Sequence, residues 1–114
     1  MESPSSEADF SVAKLVELLQ APDEHVRLFA AVRLVAMGTE ASPAVPCLTV
    51  LLESEAVLDR RMAAWVLGSI GPRADAAIPA LLDALHDADA TVRKFASEAI
   101  QKIGPENATL RAAA

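Results

Sequence analysis

Two histidines, one cysteine and 16 carboxylates are the side chains in this sequence with the types to ligate a metal or move a proton. His25 stands beside Asp23 and Glu24, and His86 opens the run His86-Asp87-Ala88-Asp89. That run carries nitrogen and oxygen donors. A zinc site, however, draws on further Cys or His at close spacing, and neither follows. Both histidines are therefore expected on solvated surface. Cys47 has no histidine or basic cluster near it in sequence to lower its pKa, so the expected role is a small, partly buried side chain rather than a nucleophile. The sequence holds no Gly-rich phosphate loop, no Gly-x-Ser-x-Gly elbow and no His-Glu-x-x-His helix. No catalytic residue, metal ligand or cofactor is assigned, and the chain is read as non-enzymatic.

The pattern that does stand out is periodic. Arg27, Arg60 and Arg93 lie 33 residues apart, and the same interval separates Gly38, Gly71 and Gly104. It also relates Val12, Val45 and Ile78; Leu15, Leu48 and Leu81; Leu19, Leu52 and Leu85; and Ala30, Ala63 and Ala96. Within each period the apolar residues follow the 3, 4 and 7 spacing of an amphipathic helix, twice over. In the first unit Asp9 is placed as N-cap of a helix carrying Val12, Leu15, Leu18 and Leu19. Asp23 caps a second helix with Val26, Phe29, Ala30, Leu34 and Met37 inward and Gly38 as its stop. In the second unit Ser42 caps and Pro43 opens the first helix, with Pro46 still in its first turn. Ser54 to Val57 turns the chain, and Leu58, Met62, Ala63, Val66, Leu67 and Ile70 face inward up to Gly71-Pro72. In the third, Asp75 caps, Asp87 to Asp89 turns, and Gly104-Pro105 terminates.

A period of this length predicts an all-α fold: a right-handed α-solenoid of three helix-turn-helix repeats, each covering the apolar face that its neighbour cannot bury alone. The expected organisation is a disordered tail over 1–8 and a body over 9–104, divided as 9–38, 42–71 and 75–104. Residues 105–114 are expected as a tail or as the start of a fourth unit cut short.

Composition agrees and narrows the partners. Hydrophobic residues make up 53% of the chain, while aromatics are only 4%, so the core must come from Ala, Val, Leu and Ile. A formal charge of −6 repels phosphate backbones, so nucleic acid and anionic membranes are not expected partners. One cysteine allows no internal disulfide. The stretch MESPSSEADF lacks the basic and apolar regions of a signal peptide, and no apolar run approaches 18 residues. A cytoplasmic protein without a membrane span is the expectation.

Two segments carry a family resemblance: AAIPALLDALHDADATVRKFASEAIQKIGPE and, more loosely, PAVPCLTVLLESEAVLDRRMAAWVLGSIGP. They resemble HEAT repeats, of the bacterial type grouped with the phycobilisome-lyase HEAT-like family. The family's turn Asp followed by Val-Arg stands here as Asp23 with Val26-Arg27, and as Asp89 with Val92-Arg93. The resemblance implies a structural ladder of Asp23, Arg27, Arg60, Asp89 and Arg93, in which arginines meet turn aspartates of adjacent units. The middle unit departs from it: Ala56 replaces the turn Asp, and Asp59 stands where an apolar residue belongs, with Leu58 beside it. A one-residue shift in the start of that helix is expected. Arg60 then depends on Asp59, or on an Asp of a neighbouring unit, for its partner.

The resemblance also implies that the second helices line a concave face. Their outward positions are Leu28, Val32 and Val35, then Arg61 and Trp65, then Lys94 and Glu98. An apolar patch with Trp65 as anchor and charged flanks is the expected partner-binding site, for another protein or for a second copy of the chain. The competing expectation is that Trp65 folds over the ridge to cover Gly68. Arg33 occupies a column filled by Val66 and Ala99, which marks the first unit as a solvent-facing end. The leading function is a protein-interaction scaffold. A component of a bilin lyase or similar chromophore-attachment system, implied only by the subgroup, is the alternative.

Overall fold

The computed structural model describes residues 10–104. Within them the chain is helical and contains no strand. Six α-helices follow in order: α1 (Val12–Leu18), α2 (Glu24–Met37), α3 (Val45–Leu51), α4 (Val57–Ile70), α5 (Ile78–Ala84) and α6 (Ala90–Ile103). Two 3-10 segments, Gly38–Ala44 and Gly71–Ala77, join α2 to α3 and α4 to α5. The second helices pack side by side with α4 in the middle, most extensively against α6 and less so against α2. The short first helices pack on the 3-10 segments and on their own second helix.

The core is aliphatic. Leu15, Leu48 and Leu81 are fully buried, as are Ala30, Ala63, Ala96, Leu34 and Leu67. Each buried leucine contributes about 1.5–3 kcal/mol by leaving water. The small Ala columns let the second helices approach closely. At Gly68 a side chain would meet the Ala99 backbone at 3.1 Å, so any larger residue would press α6 away where α4 crosses it. The three terminator glycines have positive φ (59° at Gly38, 83° at Gly71 and 149° at Gly104), a conformation that costs other residues strain.

Several sequence expectations are corrected here. Asp9 lies outside the described residues; the cap of α1 is Ser11, whose Oγ accepts the Lys14 N–H at 3.2 Å. Ser42 and Asp75 cap nothing. The chain leaves Gly38 and Gly71 directly into a 3-10 segment, so it is already helical at Ala44 and Ala77, the residues just before α3 and α5, and no extended residue precedes those helices. Pro46 and Pro79 sit in those first turns, where a missing N–H is tolerated. The middle second helix shows no shift: α2, α4 and α6 follow Asp23, Ala56 and Asp89 at the same offset. Leu58 consequently points outward and is 41% exposed, while Asp59 takes the buried position. Phe29 is exposed as well. It meets Phe10 edge-on, at 5.2 Å between ring centres, and the exposed Arg33 lies over both rings.

The helical run Glu24–Leu51, 28 residues long, is long and apolar enough to cross a membrane by length and composition, contrary to the sequence expectation. It is not one rod. Gly38 breaks it, and α2 alone is 14 residues, or about 21 Å at 1.5 Å per residue, short of a ~30 Å hydrocarbon layer. Ala30, Ala31, Leu34, Val45 and Leu48 of the run are buried in the core.

Candidate interaction groove

What orients the second helices is a set of arginines anchored at the turns. Each reaches back to the carbonyls of its own turn: Arg27 to Ala21 and Pro22, Arg60 to Ser54 and Glu55, Arg93 to Asp87 and Ala88. Two of them also reach forward to a carboxylate of the next hairpin. Arg27 Nε donates to Asp59 at 2.9 Å, and Arg60 grips Asp87 through two bonds of 2.9 and 3.1 Å. Arg61 makes a third such link, bidentate to Asp89 at 2.8 and 2.9 Å.

The carboxylates therefore differ from those the resemblance implied. Asp23 takes no arginine; it caps α2 by accepting the His25 N–H at 2.8 Å. Asp89 both caps α6 through the Val92 N–H and receives Arg61. Arg93 meets no carboxylate among the described residues. Arg60 takes an Asp of the neighbouring hairpin, Asp87, one of its two expected alternatives; Asp59, the other, serves Arg27 instead, a pairing that sequence reasoning missed. The signal was present as an exchange: 33 residues apart, the third hairpin has Asp87 and Val92 where the second has Ser54 and Asp59. A serine is too short to reach Arg27, so the acid comes from the helix instead, and Ser54 Oγ donates to Asp59 at 3.2 Å.

The hydrogen bond from Arg60 holds the Asp87 carboxyl below the usual carboxylate range, and the bond from Arg61 holds Asp89 far below it. The same bonds raise both guanidinium groups. Burial pushes the Cys47 thiol up, away from nucleophile chemistry. His25 and His86 are exposed, and His25 Nδ1 lies 3.3 Å from Asp23. Among the described residues no group of three or more His, Cys, Asp or Glu is gathered to hold a metal.

With the helices fixed this way, an apolar groove of about 270 Å³ crosses them, lined by Leu28 of α2, by Leu58, Arg61, Met62 and Trp65 of α4, and by Phe95 of α6. A smaller depression of about 140 Å³ adjoins it, sharing Leu28, Leu58 and Met62 and edged by Glu24 and His25. Leu28 and Val32 are each 47% exposed, a large apolar area for water to face. Of the seven predicted partner-binding residues, Leu28, Arg61 and Trp65 line the groove, and Val32 lies one turn along α2 from Leu28. Val35 is half-buried against the core, and Lys94 and Glu98 are exposed on α6 outside the lining. Trp65 does not cover Gly68, which α6 itself covers through Ala99. Leu58, Met62 and Phe95 were not foreseen in the groove, because helical periodicity assigned all three inward; Met62 is indeed buried and Phe95 half-buried, and Leu58 alone is exposed.

A family model for HEAT repeats matches residues 45–113. The chain belongs to the HEAT-repeat family. Repeats of this family commonly serve as protein-interaction scaffolds and are generally non-enzymatic. The matched stretch spans α3 to α6, so this HEAT-repeat protein has its first described hairpin outside it. A comparison with curated proteins found no match.

Proposed function

We propose that the chain is a non-enzymatic scaffold that binds a protein partner in the groove across α2, α4 and α6, with Trp65 as anchor. The hairpins are read as a right-handed solenoid of three repeats with a 33-residue period, whose second helices form the concave face. The observation that carries the reading is the apolar groove in which the exposed Leu28 and Leu58 stand beside the half-buried Trp65 and Phe95, over the buried Met62. Arginine ladders hold that surface rigid, and rigidity lowers the ordering cost of docking. Chromophore attachment has only the subgroup resemblance behind it.

The test is the double change Trp65→Ala with Val32→Ser. It should abolish capture of the partner retained by the wild type, with circular dichroism at 222 nm unchanged. If capture persists, the groove is not the binding site. If the helical signal collapses instead, these side chains belong to the core.

A further inference from the structure

Resting on the groove as the binding site, we infer that its occupant is a basic amphipathic helix of another protein. Three observations lead there.

The first is the chemistry of the walls. The larger depression presents only carbon to solvent, because Arg61, the one cation in its lining, is turned into the bidentate pair with Asp89. An extended peptide laid there would find no partners for its backbone N–H and C=O groups, and unpaired backbone groups are costly when buried. A helix satisfies its own backbone and offers a stripe of side chains, the mode by which apolar grooves take amphipathic segments. Three adjacent helices at 8–10 Å spacing give a strip of about 20 Å, which a helix of roughly 14 residues covers at 1.5 Å per residue.

The second is charge. Arg61 is neutralised by Asp89, so within the linings of the two depressions the unpaired charge among the described residues is Glu24, which is exposed, while Lys94 and Glu98, of opposite sign, stand outside the linings on α6. A chain of net charge −6 adds a long-range field of the same sign. Electrostatic complementarity thus favours Lys or Arg flanking the partner's apolar stripe.

The third disfavours a second copy as occupant. Each chain carries a net charge of −6, so two copies repel one another as they approach, whereas a basic partner is attracted.

Trp65 is the chain's only tryptophan and there is no tyrosine, so its emission reports the groove directly. The experiment titrates the full chain with three 14-residue synthetic helices at 50 mM salt. One has leucines at i, i+3, i+4 and i+7 among lysines, a twin has glutamates for the lysines, and a third has lysines with serines for the leucines. The lysine–leucine peptide should shift Trp65 emission saturably and bind roughly tenfold or more tighter than either control. Glu24→Gln should weaken it about two- to fivefold, as expected for one exposed ion pair, with the difference shrinking at high salt. Equal binding of the lysine and glutamate peptides overturns the charge assignment while leaving the groove as a docking site. Equal binding of the serine peptide overturns the apolar one. No change in emission with any peptide overturns the inference, and concentration-dependent dimerisation that quenches Trp65 without peptide does so in favour of self-association. The Trp65→Ala with Val32→Ser capture test fails or succeeds independently of all of these.

Discussion

The exchange of acids between turn and helix can be tested by moving one back. Asp59→Val gives the second hairpin the residue type that the third has at Val92, and strips Arg27 of its carboxylate. Breaking a buried ion pair on one side costs about 3–5 kcal/mol. The Arg27 side chain is 15% exposed and keeps two carbonyl acceptors, at Ala21 and Pro22, so a loss of about 2–3 kcal/mol is expected. Burying the valine methyls returns about 1 kcal/mol. The net loss of about 1–2 kcal/mol should lower the melting temperature by roughly 5–10 °C for a domain of this size. Adding Ser54→Asp to Asp59→Val then recreates the third hairpin's arrangement, in which Asp87 accepts from Arg60 and from the Asp89 N–H. The corresponding backbone donor, the Ala56 N–H, already points at Ser54 Oγ at 3.1 Å. The double variant should therefore melt within about 3 °C of wild type. Thermal unfolding followed at 222 nm reads all three proteins. A double variant no more stable than Asp59→Val alone would refute the idea that the two acid positions are equivalent.

Two further outcomes follow from the packing and the charges. Gly68→Val places branched carbon against the Ala99 backbone, 3.1 Å from where Cβ would stand, and should cost about 1–3 kcal/mol, read as a lower urea midpoint; an unchanged midpoint would mean that α4 and α6 can separate freely. Asp87 and Asp89 have folded pKa values below their unfolded ones, so their pairs add stability that is complete above the ordinary carboxylate pKa and drains away as the pH falls through the folded values. Urea midpoints should therefore be flat from pH 7 to about pH 5 and fall steadily below about pH 4, and Asp89→Asn should flatten the fall; a midpoint that rises on acidification would reverse the assignment.

The all-helical class, the helix stops at Gly38, Gly71 and Gly104, and the cap at Asp23 were legible in the chain, because each rests on local chemistry. Positive φ selects glycine, a free N–H selects a short acid, and a buried stripe selects leucine at helical spacing. The exposure of Arg33 was legible too, since a charge in a column otherwise filled by Val66 and Ala99 is tolerable only where water reaches it. What the chain alone misplaced were relations between hairpins. The inward assignment of Leu58 failed because Asp59 had to meet Arg27 across the stack, and that demand outranked periodicity within one helix. The caps at Ser42 and Asp75 failed because a left-handed glycine delivers the chain already wound.

Whether Trp65 covered a glycine or lined a groove was likewise undecidable from its neighbours in sequence. The answer lay in the approach of Ala99 to Gly68, a contact between helices. Residue type and spacing determine which faces are apolar. Only the packing of three helices side by side decides which of those faces remain open, because that depends on backbone separations of a few ångströms that no single helix sets for itself.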